Sequence, residues 1–179
     1  QKEFDVFGNG TWLDRTEERY SRMDEFMQVL RGLWCEERFD FDGDYFQLED
    51  AVLPIKTLQT PNPPIYAASS AKQGMEQVAR HADVWFVGYE PGLDNAPGNM
   101  ERITRDVEHM RALSARFGRT LRFGISAHVI CTETRKEAIE LARSLEAYGA
   151  RDRISLVAAK ALGAGLVGTA DDIVERLSA

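Results

Sequence analysis

The sequence predicts an α/β fold in which parallel strands alternate with helices, and three observations support that prediction. Apolar runs at 65–68, 84–87 and 121–131 are typical of buried strands. The segments between them show helical spacing of apolar residues and are introduced by capping signals. The two kinds of segment alternate along the chain, an order that indicates βαβ units and a parallel sheet.

The composition is that of a globular protein with a hydrophobic core. The chain has 179 residues, of which 44% are hydrophobic and 28% are charged. Its 22 basic residues are scattered among 29 acidic ones without forming a basic stripe, so we expect no nucleic acid partner. No apolar run approaches the roughly 18 residues of a membrane-spanning helix, and no signal-peptide pattern is present. Because we expect the true N-terminus to be missing, these absences leave the location open; our expectation is a cytoplasmic protein without a membrane partner.

The cysteine and aspartate patterns do not predict a metal site or a disulfide. Cys35 and Cys131 lie far apart and form no CxxC pair. Their apolar neighbours predict buried, inert thiols. The acidic residues within 40–49 do not match the spacing of a calcium-binding EF-hand loop.

The segment before the alternation has its own elements. Asp14 with Glu17 is a variant capping box, and the apolar spacing after it predicts a helix over 15–34. Apolar and polar residues alternate around an Asp-Gly pair, which predicts a β-hairpin at 39–48. The proline-rich stretch that ends at Pro64 is predicted to be an ordered connector.

Capping signals and periodicity predict the remaining elements. Ser70 with Gln73 predicts a capping box that begins a helix ending near His81. The other segments are, in order, a loop over 88–99, a helix over 100–116, a helix over 135–148 capped by Thr134 and Glu137, an ambiguous stretch over 150–168, and a last helix capped by Thr169 and Asp172.

The chain ends inside that last helix, with no strand after it. In a βαβ series such a helix leads to another strand, so we expect the chain to be part of a longer fold. A complete TIM barrel has eight parallel strands and about 250 residues. A doubly wound sheet of four or five strands is the alternative, although it does not normally begin with a helix and a proline-rich hairpin region.

Ser69 and Ser70 stand where the first parallel strand meets the next helix. A helix N-terminus presents free N–H groups and the positive end of the helix dipole, and two hydroxyls add further donors. The pair is therefore a candidate phosphate site. The alternative is that Ser70 only caps the helix.

His128 lies toward the C-terminal end of the third strand, where barrel enzymes build their active sites. Along 121–131 the odd-numbered residues form an apolar face suited to packing under helices. The even-numbered residues from Gly124 to Ile130, His128 included, form the opposite face. We consider His128 a candidate catalytic residue, and a core histidine with satisfied hydrogen bonds is the alternative.

Gly163, Gly165 and Gly168 match the GxGxxG spacing of a dinucleotide-binding loop. That fingerprint also requires a preceding strand and an acidic residue about 20 positions later. The preceding segment is poor in β-branched residues, and the chain ends before such an acidic position. A dinucleotide-binding fold is therefore not favoured.

Several short strings recur in a fixed order. They are Glu18-Arg19-Tyr20, Glu25-Phe26, Leu33-Trp34, Phe41-Asp42-Gly43, 63–70, 79–83, 123–130 and 166–169. In this order the sequence resembles the luciferase-like flavin monooxygenases over nearly its whole length, most of all the alkanesulfonate and dimethylsulfone group. The resemblance implies that 1–179 form one domain, the later part of a bacterial luciferase-like TIM (β/α)8 barrel that begins after the fourth strand and ends before the eighth. It also implies that 39–48 is a family insertion and that 150–168 is a mobile loop region.

The same resemblance implies a two-component flavin-dependent monooxygenase. Reduced FMN, supplied by a separate NAD(P)H-dependent flavin reductase, and O2 would oxygenate a small organosulfur compound of the alkanesulfonate or sulfone type. Tyr20, Ser69 and Ser70 match family positions near the FMN phosphate. The family also implies a homo-oligomer, either a dimer or a tetramer. The alternatives are a non-catalytic flavin-binding homologue and a deazaflavin-dependent oxidoreductase on the same barrel.

Three further residues are implied to face the substrate. His128 matches an active-site histidine of the alkanesulfonate enzymes. Ser126 stands where those enzymes have an arginine that helps to bind the sulfonate, which leaves room for a neutral substrate. Trp85 is a candidate for the pocket wall, with core packing as the alternative.

Overall fold

The structure is a computed structural model that describes Leu13, 15–92, 95–148 and 153–178, so the predicted cap at Asp14 lies outside the described residues. Its elements are α1 Thr16–Cys35, β1 Phe39–Asp42, β2 Gln47–Ala51, β3 Tyr66–Ala67, α2 Lys72–His81, β4 Val84–Val87, α3 Ala96–Ala115, β5 Arg122–Ile125, β6 Ile130–Cys131, α4 Arg135–Glu146, α5 Arg153–Ala164, β7 Val167–Gly168 and α6 Ala170–Ser178. The first helix, the hairpin and the strand at 84–87 are confirmed within a residue or a few.

A parallel sheet of three strands, in the order β3-β4-β5, forms the centre of the fold. Tyr66 pairs with Val84, which pairs in turn with Arg122. Helices α2 and α3 connect the strands, as in βαβ units. Because the strands are parallel, their C-terminal ends lie at one edge of the sheet and their N-terminal ends at the other.

The main core lies between this sheet and helices α2 and α3. Its buried members are Ile65, Val78, Ala79, Ala82, Trp85, Val87, Met110 and Leu121. Trp85 meets Phe123 edge-on, with ring centroids 6.2 Å apart. Burial of this apolar surface is the main favourable contribution to the stability of the fold.

A second, smaller core joins α4 and α5 to the parallel pair β6-β7. The predicted caps beside it are confirmed: the N–H of Glu137 donates to Thr134 Oγ1 at 3.3 Å, and that of Asp172 donates to Thr169 Oγ1 at 3.3 Å. The N–H and hydroxyl of Thr169 donate back to the Asp172 carboxylate and hold its pKa below the usual range.

The hairpin is fastened to α1 by one carboxylate. Glu25 accepts hydrogen bonds from the backbone N–H groups of Asp44 at 2.9 Å, Tyr45 at 2.8 Å and Phe46 at 3.0 Å. Turn N–H groups that would otherwise need water are thus satisfied by a side chain of the helix. This contact fixes where the hairpin lies.

The N-terminal edge of the sheet carries an ion cluster around Asp83. Its carboxylate accepts from the N–H of Ile65 at 2.8 Å, from Arg119 Nη2 at 2.7 Å and from Arg31 Nη2 at 3.3 Å. Burial alone would raise the pKa of Asp83, but the N–H of Ile65 and the two guanidinium groups outweigh it and hold the pKa below its usual 3.8. The cluster joins α1, the start of β4 and the turn before β5.

The predicted third strand over 121–131 is two strands. β5 pairs with β4, whereas β6 pairs with β7 in another sheet, and 126–129 connect them. The predicted alternation of buried and exposed side chains therefore does not continue from β5 through 126–129 into β6. Leu121 and Phe123 pack under the helices as predicted, but Ile125 is 43% exposed and Ile130 is buried.

Two predicted loops are partly helical. Helix α3 begins at Ala96 rather than near residue 100, because a proline is tolerated in a first helical turn, where its missing N–H has no intrahelical partner to lose. Within 150–168 the structure has helix α5 and strand β7, while 149–152 lie outside the described residues.

The prediction of buried thiols is wrong. Cys35 and Cys131 are both exposed. Cys35 is the last residue of α1. Cys131 follows the buried Ile130 on a two-residue strand, and successive side chains of a strand point to opposite faces. Within the described ranges no helix is both long enough and apolar enough to cross a membrane.

Candidate functional site

A cavity of about 470 Å³ opens at the C-terminal edge of the parallel sheet. Its volume is in the range of small-molecule sites, roughly 300–1,000 Å³. It is lined by Ala68, Ser69, Ser70, Met75, Trp85, Phe86, Gly88, Tyr89, Glu90, Arg102 and Asp106. These residues come from the ends of β3 and β4, from helices α2 and α3, and from residues 88–92 after β4, here called the rim loop.

The two serines lie at the uncapped N-terminus of α2. The N-cap is Ala71, and no side chain caps it, so the predicted Ser70–Gln73 capping box is wrong. Helix α2 begins two residues after Ser70, and Ser69 Oγ instead accepts from the N–H of Ala71 at 3.3 Å. The first N–H groups of α2 therefore keep their capacity to donate beside the cavity.

Tyr20 and Ser69 both lie close to Gly74, in the first turn of α2. A Cβ at position 74 would collide with Ser69 Oγ and lie 3.0 Å from Tyr20 Cε1. The absence of a side chain there lets both residues approach the helix closely. Ser69 and Tyr20, 49 positions apart in the sequence, thus both lie close to Gly74, although Tyr20 is not among the residues that line the cavity.

Trp85 holds the backbone of Ser69 from within the core. It is 3% exposed, and its indole Nε1–H donates to the carbonyl oxygen of Ser69 at 3.2 Å. Its ring packs against Phe123 in the core. Most of the Trp85 ring thus packs in the core, as in the core-packing alternative, and only part of the side chain lines the cavity.

Tyr89 links the cavity to Ser126. The Tyr89 hydroxyl donates to the carbonyl oxygen of Ser126 at 3.0 Å, across the C-terminal ends of β4 and β5. Burial raises the pKa of Tyr89 above its usual 10.0, so the phenol stays protonated and keeps this bond. Ser126 itself is exposed and does not belong to the cavity lining.

Arg102 is the cation that lines the cavity. Its guanidinium donates to Glu90 Oε1 and to the carbonyl oxygen of Gly88, both at 3.1 Å. Its buried Nε has no hydrogen-bond partner. Neither Arg102 nor Tyr89 was predicted from the sequence, although Tyr89 is the second residue after the parallel strand β4, near the position that favours site residues in barrels.

His128 lies between β5 and β6 and is half-buried. It is not among the residues that line the cavity. Of the residues implied to form the site, Ser69, Ser70 and Trp85 line the cavity, whereas Tyr20, Ser126 and His128 do not. Within the described part of the chain, no group of three His, Cys, Asp or Glu side chains is placed to hold a metal ion.

Comparison with known proteins places this geometry in context. A family model described as "Luciferase-like monooxygenase" matches residues 1–179. An FMNH2-dependent dimethylsulfone monooxygenase from Pseudomonas putida is 34% identical over 137 residues, 76% of this chain and 35% of that protein.

Two solved structures share the fold. A long-chain alkane monooxygenase is similar with a TM-score of 0.73 and 18% identity, covering 99% of this chain and 52% of that one. A coenzyme F420-dependent tetrahydromethanopterin reductase from Methanopyrus kandleri gives a TM-score of 0.62 at 14% identity, covering 89% of this chain and 53% of that one.

The chain thus spans about a third of the curated relative's length and about half of each solved structure. The predicted fold class is confirmed, and the chain is part of a (β/α)8 barrel.

Proposed function

The chain belongs to the luciferase-like monooxygenase family, and we propose that it forms part of an enzyme that uses reduced FMN and O2 to oxygenate a small organic molecule. The observation that carries the proposal is the cavity at the C-terminal edge of the sheet, with two serines at an uncapped helix N-terminus. The name of the Pseudomonas putida relative supports reduced FMN as the cofactor.

The residues around α2 suit the phosphate of FMN. Ser69 and Ser70 bring hydroxyl groups to a helix N-terminus whose N–H groups are uncapped, and the dipole there favours an anion. Gly74 has no side chain and so leaves the space that Ser69 Oγ occupies, close to Tyr20. When bound, reduced FMN would supply the electrons for oxygen activation, while the protein binds it, excludes water and orients the substrate.

The substrate we propose is a neutral organosulfur compound of the sulfone type. Ser126 brings no charge to the position where the alkanesulfonate enzymes have an arginine, so nothing at that position would balance a sulfonate. The sulfone named for the Pseudomonas putida relative is neutral and supports this choice. His128 lies outside the cavity lining, and its proposed role rests on the match to the active-site histidine of the alkanesulfonate enzymes: it would hydrogen-bond the substrate and move a proton, the usual work of such a histidine.

The proposed reaction needs partners outside this chain. Reduced FMN would come from a separate NAD(P)H-dependent flavin reductase. We further propose a cytoplasmic homo-oligomer, either a dimer or a tetramer, as in the family that the sequence resembles.

The test is oxygen consumption by the full-length gene product with photoreduced FMN, with and without dimethylsulfone and a panel of alkanesulfonates. We expect product that depends on the sulfone and falls at least a hundredfold in His128→Ala, within the range for loss of general acid–base catalysis. His109→Ala, an exposed histidine on α3, is the matched control and should retain full activity.

Each other outcome points to a defined alternative. Tight FMN binding without any oxygenated product would favour a non-catalytic flavin-binding homologue. Turnover with a deazaflavin and no oxygen uptake would favour the oxidoreductase class to which the Methanopyrus kandleri structure belongs. Activity on sulfonates alone would contradict the assignment based on Ser126.

A further inference from the structure

Asn99 is a buried side chain of α3 that holds the rim loop by its backbone. It is 4% exposed. Its Oδ1 accepts from the N–H of Glu90 at 2.9 Å, and its Nδ2 donates to the carbonyl oxygen of Glu90 at 2.8 Å. Both backbone groups of one rim residue are therefore satisfied by a single amide side chain.

The same amide reaches a second element. Asn99 Nδ2 also donates to the carbonyl oxygen of Gly163, near the end of α5, at 2.8 Å. Both N–H bonds of the side chain are thus used, one on the rim loop and one on α5. This carbonyl and that of Glu90 would each lose a partner if the side chain could not donate.

Helix α5 touches the rim loop directly at this junction. A Cβ at position 163 would collide with the carbonyl oxygen of Glu90 and lie 2.8 Å from Pro91 Cα. The N–H of Gly92 donates to the carbonyl oxygen of Ala159, one turn earlier on α5, at 2.6 Å. Glycine at position 163 is therefore required for the close approach of backbone to backbone.

The rim loop in turn forms part of the cavity. Gly88, Tyr89 and Glu90 all line it, and Tyr89 spans from it to Ser126. A displacement of the Glu90 backbone would carry Tyr89 with it, because the two residues are adjacent. Arg102 also contacts the rim loop, but it donates to the Glu90 carboxylate and to the carbonyl oxygen of Gly88 and not to the backbone of Glu90.

We propose that Asn99 is a positioning residue that couples α5 to the rim loop and thereby sets the wall of the cavity. It is not among the residues that line the cavity and acts through Glu90 and Tyr89. The effect on flavin binding rests on the proposed function of the cavity, whereas the coupling itself does not.

The test uses two variants that disturb the junction from opposite sides in the full-length gene product. Asn99→Asp keeps the shape but cannot donate to either carbonyl. Gly163→Ala keeps Asn99 but forces a methyl group against the rim loop. Amide hydrogen exchange is measured over 88–92 and 155–164, and oxidised FMN is titrated by the quenching of its fluorescence.

Each variant has a matched control. Asn95→Asp introduces the same charge at the N-cap of α3, where Asn95 Nδ2 also donates to the rim loop, to the carbonyl oxygen of Pro91 at 2.8 Å, but in an exposed setting. Gly98→Ala adds the same methyl group on α3 with no atom within 4 Å. In Asn95→Asp, water can replace the lost hydrogen bond. In Gly98→Ala, the new methyl group meets open space.

The expected result is exchange at least tenfold faster in both segments, with β4 and α2 unchanged, and an FMN dissociation constant raised at least tenfold in both variants. The controls should stay within twofold of the unaltered protein. Uniformly faster exchange throughout the chain would mean a merely structural role and would overturn the proposal. So would faster exchange confined to 88–92, or unaltered FMN affinity after both segments are freed.

Failure of the proposed function would look different. If the unaltered protein does not bind FMN, the cavity has another ligand. The exchange measurements then still decide whether Asn99 couples the two segments.

Discussion

The two edges of the parallel sheet use their polar groups in opposite ways. At the N-terminal edge, Asp83 is paired with two arginines and with a backbone N–H of the neighbouring strand. At the C-terminal edge, Ser69 and Ser70 lie beside a helix N-terminus that no side chain caps. The Asp83 carboxylate at one edge is satisfied within the protein, whereas the N–H groups at the start of α2 at the other edge keep their capacity to bind.

This difference separates stability from function in a barrel. Groups that satisfy one another stabilise the fold and have nothing left for a ligand. Groups that remain free cost some stability and are available to bind. Barrels place active sites at the C-terminal edge and stabilising residues at the N-terminal edge, so substitutions at the two edges should have separable effects.

The largest effect is expected at Asp83. Asp83→Ala leaves two guanidinium groups and the N–H of Ile65 without their partner, and should lower the free energy of unfolding by about 3 kcal/mol. That is the lower end of the cost of breaking a buried ion pair, because the Asp83 side chain is 27% exposed. Denaturant unfolding measures the loss, and FMN affinity below the transition should not change.

The control for that measurement is Glu76→Ala. Glu76 pairs with Arg80 on the surface of α2, and its loss should cost less than about 0.5 kcal/mol. A comparable loss in both variants would mean that the cluster has no special role at the N-terminal edge.

A smaller effect, of the opposite kind, is expected at Gly74. In Gly74→Ala the new methyl group forces Ser69 to rotate away, and FMN affinity should fall about tenfold, or roughly 1.4 kcal/mol. Stability should change little, because alanine favours a helix over glycine by about 1 kcal/mol and offsets the crowding. FMN titration and thermal unfolding are compared with those of Gly98→Ala. Lost stability with intact affinity would erase the distinction between the edges.

The smallest effect is the pH dependence of the Asp83 cluster. The pKa of Asp83 is lower in the folded chain than its usual 3.8 in the unfolded chain. The stability from that shift is therefore fully present above the unfolded pKa and is lost as the pH falls through the folded pKa. Denaturant unfolding of Asp83→Asn and of the unaltered protein should differ most near neutral pH and converge in acid. A constant difference from pH 7 to pH 2 would contradict the assignment.

The capping signals mark where sequence reasoning works and where it stops. Thr134 with Glu137 and Thr169 with Asp172 form the predicted caps, because a capping box involves only residues within one turn. Ser70 with Gln73 has the same spacing and does not, because α2 begins after Ala71: Ser69 Oγ accepts from the N–H of Ala71, and the distant Trp85 donates to the carbonyl oxygen of Ser69. The same local pattern thus has a different outcome where distant residues intervene.

The candidate site shows the same division. Ser69 and Ser70 were predicted from their place between a strand and a helix, and both line the cavity. Tyr89 and Arg102 were not predicted, since their importance depends on which strand end and which helix lie opposite. The broken strand after Ile125 likewise reflects pairing with two different partners, which residue alternation does not encode.

The alternation of helices and strands, the hairpin, two of the helix caps and the family resemblance could all be predicted from the order of residues. These depend on periodicity and on hydrogen bonds between near neighbours, which local residue types specify. The contacts of Asn99 with Gly163, 64 positions away, and of Tyr89 with Ser126, 37 positions away, depend instead on the packing of the folded chain. Such contacts depend on which strands and helices pack side by side. The residues that form the wall of the cavity can therefore be identified only in the folded structure.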